Sequence, residues 1–351
     1  MSSDTIGVGV AGLSMGRHVL QVNRDPESRF QVRALCELDE SRIEKYSREY
    51  NVGFATKEYS EMVSRPDIDA VAVYTPDHLH AEHILMALDA GKHVLVTKPM
   101  VNTREEASKV LSKASETGLK VMVGHTRRFL PDILAARALM ENGTIGEPVF
   151  LQFGYVHDMR TVIHTPGREW RRDPNKKSWL VGSACHPIDL ALWFGGEAVE
   201  VFATANNGKV LEDERKGNNN FLINLVFRNG AVGRVLALFS VVDPPKNLSL
   251  AAVCGTKGSI VGSVVSVDKE GKTEELPLEI PREIDNEKSS TEGRLIADFE
   301  QCIVQNRRPS PDAAEAAETL EIFLCAGEST ERNRPVTPDY SWISECTSNI
   351  M

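Results

Sequence analysis

Residues 6–16 read Ile6-Gly7-Val8-Gly9-Val10-Ala11-Gly12-Leu13-Ser14-Met15-Gly16. An apolar run enters a glycine turn, and a helical pattern follows over 16–23, as at the opening of a β–α unit. Gly7, Gly9 and Gly12 have the spacing of a dinucleotide fingerprint, but the register is wrong. Gly7 and Gly9 lie inside the strand pattern, whereas a phosphate loop begins where the strand ends. The better loop is Gly12-Leu13-Ser14-Met15-Gly16. There Gly12 permits the tight bend, Gly16 the close approach, and the helix start offers N–H groups to a pyrophosphate. This loop is one residue short and carries Ser14 where a glycine is expected. An ordinary β–α turn is the competing reading.

The same alternation continues outward from this stretch. Apolar runs at 31–36, 69–74, 93–97 and 120–123 read as strands, and 40–50, 79–90 and 104–117 as helices. Thr103-x-x-Glu106 is a capping box, and Gly91 and Gly118 suit the positions just past helix ends. Short apolar strands separated by helices imply a parallel sheet covered on both faces. Residues 1–125 are therefore expected to form an N-terminal doubly wound α/β domain of Rossmann type. Beyond 125 the pattern changes. Helices are expected at 129–142, 183–194 and 313–328, and long strands at 149–155, 199–205, 221–227, 231–240 and 249–254. Asn229-Gly230 between two apolar runs signals a hairpin. Residues 209–219 and 281–292 are polar and read as loops. The expectation for 126–351 is an α+β domain with a large, mostly antiparallel sheet.

Composition narrows the function. The 351 residues suit two domains at about 150 residues each. Forty basic against fifty acidic residues give a net charge of −10, which disfavours nucleic acid or an anionic membrane as partner. No apolar run approaches the roughly 18 residues that span a bilayer. Met1-Ser2-Ser3-Asp4 has no basic stretch ahead of the first strand pattern, so no secretory signal is expected. Six scattered cysteines without a C-x-x-C read as reduced thiols, which points to the cytoplasm.

In open parallel sheets ligands bind beyond the carboxyl ends of the strands. Those ends carry Gly12, Glu37, Thr75-Pro76, Thr97-Lys98-Pro99 and Gly124-His125. A carboxylate at Glu37 can accept from both hydroxyls of an adenosine ribose and repels a 2′-phosphate, which favours NAD over NADP. A lysine at the rim of the cleft, Lys98, can neutralise a developing alkoxide or hold a substrate hydroxyl. The cofactor set is thus Gly12, Ser14, Met15, Gly16, Glu37, Thr75, Pro76 and Lys98, with His80 at the start of the following helix. His78, His80 and His83 lack helical zinc spacing, so no metal site is expected. His186 leads into the apolar part of its helix, with Asp189 one turn on. It can serve as a base for an alcohol proton or simply as a buried helix residue. Substrate candidates are His125, Arg128, Tyr155, His157, Arg160, Trp170 and Arg171, although the stretch 155–172 also suits a solvated loop.

Several of these motifs together resemble the glucose–fructose oxidoreductase / inositol dehydrogenase / rhizopine-catabolism (Gfo/Idh/MocA) family. They are Ile68-Asp69-Ala70-Val71, Thr75-Pro76-Asp77-His78-Leu79-His80, Ala90-Gly91-Lys92-His93-Val94-Leu95-Val96-Thr97-Lys98-Pro99, Gly146-Glu147-Pro148, and His186-x-x-Asp189 followed by Trp193 and Gly195. The resemblance implies an NAD(P)-dependent oxidoreductase acting on a sugar, cyclitol or related polyol. It also implies a homodimer or homotetramer joined through the open face of the second sheet. It places the family's lysine on Lys98 and its catalytic histidine on His186, and Lys98 would polarise the oxygen while His186 takes the hydroxyl proton. Thr97 stands where the family has glutamate, and Gly182 where it often has the aspartate of a proton relay, which leaves Asp189, the 155–172 segment or water for that task. Two alternatives stay open: a glycosidase working by transient oxidation and elimination, and a non-catalytic NAD-binding regulator.

Overall fold

The structure, a computed structural model, describes residues 5–165, 173, 179–211, 217–281 and 290–348. Contacts divide the chain into two compact units. The first is built on six parallel strands: β1 (Ile6–Ala11), β2 (Phe30–Cys36), β3 (Phe54–Thr56), β4 (Ala70–Val73), β5 (His93–Thr97) and β6 (Val121–Gly124). Their order is β3-β2-β1-β4-β5-β6. Val8, Val10, Val71, Val73, Val94, Val96, Val121 and Val123 are almost wholly buried, as expected of a sheet covered on both faces. The covering helices are α1 (Leu13–Gly16), α2 (Glu40–Tyr50), α3 (Tyr59–Val63), α4 (His80–Asp89) and α5 (Arg104–Thr117). The punctuation is local. Thr103 Oγ1 accepts from the Glu106 N–H at 3.2 Å, and Glu106 Oε2 accepts from the Thr103 N–H at 3.1 Å. Gly118 ends the helix in the left-handed region. The helix expected over 16–23 is instead the single turn α1 and a 3-10 segment, Val19–Arg24. Gly16 and the β-branched Val19 and Val22 give that stretch little helical preference.

The first unit takes in Met1–His125 together with Ser289–Ala317 and Ser341–Met351, so its chain is discontinuous where the sequence reading drew one boundary. The returning segments have specific attachments. In α9 (Thr291–Val304), Glu300 Oε2 accepts from Ser28 Oγ at 2.5 Å and from the Phe30 N–H at 3.1 Å. Phe299 meets Phe30 edge to face. The Val123 N–H donates to the Pro311 carbonyl at 3.0 Å, at the outer edge of β6. In α11 (Ser341–Thr347), Trp342 lies under the Arg104 guanidinium. A buried carboxylate that accepts several hydrogen bonds is a strong tie, and it joins residues about 270 positions apart.

The second unit is built on an eight-stranded sheet of order β14-β13-β12-β11-β7-β10-β9-β8. Its strands are β7 (Pro148–Val156), β8 (Ala198–Asn206), β9 (Asn220–Phe227), β10 (Val232–Leu238), β11 (Ala252–Gly255), β12 (Gly258–Val261), β13 (Val264–Lys269) and β14 (Lys272–Pro277). Among the described residues of this sheet, only β7 and β10 pair in parallel. Asn229-Gly230 turns β9 into β10, with Gly230 at φ 87°. Leu151, Phe153, Val235 and Ala237 are buried on the inner face, where α8 (Trp179–Gly195) packs. The helices α6 (Pro131–Glu141), α7 (Arg160–Ile163) and α10 (Ala313–Arg332) complete the helical part, and the division between the units falls within α10. Strands β3 and β12–β14 and helices α3, α7, α9 and α11 are absent from the sequence reading. Lys272–Pro277 is mostly exposed and has no apolar alternation, so only its ladder with β13 makes it a strand. No helix among the described residues is long and apolar enough to cross a membrane.

Candidate active site

On the first unit the chain leaves β1 between β2 and β4, the point where the strand order reverses and α/β sheets open a crevice. Gly12 sits there with φ 84°. A Cβ on it would come within 2.4 Å of the Tyr74 carbonyl oxygen, so only glycine lets β1 turn against the end of β4. Gly7 and Gly9 lie within β1, as the register argument requires. Met15 is 38% exposed on the loop, Ser14 is partly exposed, and Gly16 is buried against Val10.

Glu37 joins this loop to the end of β2. Its Oε2 accepts from the Leu13 N–H at 2.8 Å, and its Oε1 from the Leu38 N–H at 2.8 Å. Arg42 Nη1 stands 3.5 Å from Oε2 and also pairs with Asp39, so a cation lies directly behind the acid. The glycine turn and Glu37, read separately in the sequence, are thus in direct contact. The crevice fits a dinucleotide: a bare backbone at Gly12, free of any Cβ, and a carboxylate next to the first N–H groups of the following turn.

Thr75 and Pro76 follow β4, and Lys98 follows β5 with its side chain partly exposed. The bond between Lys98 and Pro99 is cis. His80 does not face the crevice. It is fully buried, with Nδ1 2.7 Å from the Pro99 carbonyl oxygen and Nε2 2.8 Å from that of Thr75, which removes it from the cofactor contacts. His83 contacts the Thr75 hydroxyl at 3.0 Å and stacks on Tyr59. Burial, then His80 and His78, pull its pKa down to about 4, so it is neutral. His125, expected among the substrate contacts, is 2% exposed at the end of β6 and offers almost no surface.

On the second unit an aromatic and cationic cluster surrounds Tyr155, near the end of β7. Its ring centroid lies 4.3 Å from that of His157, 5.5 Å from His186 and 6.0 Å from Phe239. Trp179 stacks on Phe239 at 5.6 Å. The Arg127 guanidinium covers Tyr155 at 4.8 Å and donates to the Gly154 carbonyl at 3.0 Å. Burial lowers the Arg127 pKa, with Tyr155, Asp132 and Cys185 opposing. His186 lies inside α8, on the turn where Pro187 withholds an N–H from the Ser183 carbonyl. Tyr155, His157 and His186 are therefore brought together as a group that can hold hydroxyls and move a proton.

Two expected residues have other work. Arg128 and Asp189 form a two-point ion pair, Nε to Oδ2 at 2.9 Å and Nη2 to Oδ1 at 2.7 Å, with side chains 4% and 0% exposed. Arg128 is thus the buried cation that ties the 3-10 turn Thr126–Phe129 to α8, and its neighbour Arg127 is the arginine at the cluster. Asp189, expected to orient His186, is the anionic half of that pair. Arg160 is held by Asp158, whose pKa this pairing lowers. Trp170 and Arg171 lie outside the described residues. Sequence reading missed Arg127 and Trp179. Two adjacent arginines in a turn carry no signal of which one points inward.

A doubly wound nucleotide-binding unit followed by a mixed-sheet unit with a His–Tyr–Arg cluster is the architecture of a dinucleotide-dependent oxidoreductase. The chain belongs to the GFO/IDH/MocA oxidoreductase family: residues 6–125 match its NAD-binding Rossmann domain, and residues 133–261 match its C-terminal domain. It is 27% identical over 308 residues to scyllo-inositol 2-dehydrogenase (NAD(+)) of Bacillus subtilis (strain 168), covering 85% of this chain and 86% of that one. It is 32% identical over 194 residues to the scyllo-inositol 2-dehydrogenase (NADP(+)) of the same organism, covering 55% and 52%. A levoglucosan dehydrogenase solved with NADH and levoglucosan shares the fold, with a TM-score of 0.83 over 95% of this chain and 99% of that one at 23% identity.

Proposed function

We propose that this protein is a dehydrogenase that transfers a hydride between a nicotinamide and a ring carbinol of a sugar, cyclitol or glycoside, using NAD in preference to NADP. The observation that supports the reading is the hydrogen bond from the Leu13 N–H to Glu37, which holds a carboxylate suited to a ribose against the glycine turn. The inositol dehydrogenase relatives support the substrate class. The bound nicotinamide would supply the hydride acceptor. Gly12, Ser14 and Met15 would line its phosphates, and Thr75 and Pro76 would flank the neighbouring strand end. Lys98 would place its ammonium on the carbinol oxygen, and His186, backed by the Tyr155 ring, would take the hydroxyl proton. His157 and Arg127 would hold further hydroxyls.

We also assign self-association to the outer face of the second sheet, where Val232, Val261 and Val264 are each 43–48% exposed beside the Arg234–Gln152 pair. Six cysteines without a disulfide suit a reducing compartment such as the cytoplasm.

The experiment is to incubate purified protein and NAD with inositols, hexoses, anhydrosugars and glycosides while following NADH absorbance. One carbinol should give NADH, and Lys98→Met should lower kcat by about 10²- to 10³-fold, as when one oxyanion donor is lost. Bound NADH with no turnover of any polyol overturns the reading. Release of an aryl group from a glycoside with no NADH build-up points instead to oxidation and elimination.

A further inference from the structure

We propose that His80 is a positioning residue: doubly protonated, its ring donates one hydrogen bond to the Thr75 carbonyl and one to the Pro99 carbonyl, and so clamps the turns after β4 and β5 that carry Thr75-Pro76 and Lys98. The argument starts from donor counting. A carbonyl oxygen only accepts, and a neutral imidazole has one N–H. Both His80 nitrogens lie within 2.8 Å of a carbonyl oxygen, and the ring is 0% exposed, so no water stands between them. A neutral ring in this position would set a nitrogen lone pair against an oxygen lone pair. A ring with two N–H groups satisfies both carbonyls, and the bonds are charge-assisted.

The placement shows what the clamp does. His80 is the first residue of α4, and its two partners lie just past the ends of the neighbouring strands β4 and β5. Pro99 is bonded directly to Lys98, so holding the Pro99 carbonyl restrains the residue next to the one that carries the Lys98 side chain. Thr75 is held a second time by His83 through its hydroxyl, and Tyr59 O–H donates to the His83 carbonyl at 2.8 Å. The titratable groups on the neighbouring elements include Asp77 and His78 in the turn before α4, Glu82 and His83 on α4, Tyr59 on α3 and Lys98 beside Pro99. Lys113 of α5 pairs with Asp89 at the far end of α4. His83, the nearer neighbour on the same helix, stays neutral because burial, then His80 and His78, lower its pKa. Loss of one proton from His80 would release one of the two turns.

The inference rests on the dehydrogenase reading for its kinetic consequence, although not for the clamp itself, so two measurements separate them. Nitrogen NMR of the full-length protein with isotope-labelled histidine, assigned by comparison with His80→Gln, should show both His80 nitrogens protonated at neutral pH. A single protonated nitrogen overturns the proposal whether or not the protein turns over a polyol. In the folded His80→Leu variant, kcat should fall by about 10²-fold, the scale of a misplaced reacting group, while the Kd for NADH read by fluorescence stays near the wild-type value. His80→Gln, which keeps one donor, should recover part of that loss. A His80→Leu variant that melts earlier yet keeps wild-type kcat overturns the positioning role. A wild-type protein that oxidises no polyol overturns the functional reading and leaves the clamp to the NMR result.

Discussion

Replacing Asp189 by alanine takes one side of a two-point ion pair away from a guanidinium whose side chain is 4% exposed. Breaking a buried pair in this way costs about 3–5 kcal/mol, because the remaining charge loses its compensation. For a unit of this size each kcal/mol moves the melting point by about 2–4 °C, so a fall of roughly 6–20 °C is expected for the unit that contains α8. Differential scanning calorimetry measures it. Because the cost comes from the stranded charge, replacing both partners with apolar residues, Arg128→Met with Asp189→Leu, should restore most of the loss. Below the transition Asp189→Asn should keep substantial kcat, since the pair anchors α8 against the turn at 126–129 rather than moving a proton. If Asp189→Asn melts within about 2 °C of wild type yet loses about 10³-fold in kcat, the aspartate works on the histidine and the anchoring argument fails.

Two further outcomes follow from the same geometry. Glu37→Ala should weaken NAD binding by about 10-fold or more, the scale of lost hydrogen bonds to a charged group, and should raise the relative use of NADP. Arg42, 3.5 Å from the carboxylate, then keeps only Asp39 as its acid and can meet a 2′-phosphate, and unchanged KM values for both cofactors would count against Glu37 as the ribose acid. Between pH 6.5 and about 4, the ordinary and the depressed pKa of His83, the unfolded chain binds a proton that the folded chain refuses. Stability from this site is therefore complete above 6.5 and is lost as the pH falls toward 4. Melting temperatures across that window should decline less steeply in His83→Gln, and an identical slope would show that the site carries none of the dependence.

Much of the first unit was legible because its signals are local. An apolar strand, a glycine turn, a capping box and a glycine stop each act within one element, and together they dictate a parallel sheet buried on both faces. The crevice at Gly12, Glu37 and Thr75 followed from the rule that ligands bind at strand carboxyl ends. The second unit was legible only where strands alternate or a tight turn intervenes. Lys272–Pro277 carries neither sign and exists as a strand through its neighbour. Similarly, nothing near Glu300 shows that it will accept from Ser28 and Phe30 at the other end of the chain.

What sequence alone determined is the type of fold, the glycine turn after β1 and the placing of Glu37 and Lys98 at strand ends, since each depends on residue type and position along the chain. What the tertiary structure decided is how polar side chains are shared out. Arg127 goes to the Tyr155 ring while Arg128 goes to Asp189, and His80 turns inward to two carbonyls rather than outward to a cofactor. Those assignments depend on which partner lies within about 3 Å after folding, and a hydrogen bond is decided by that distance and by the donors present, neither of which spacing along the chain records.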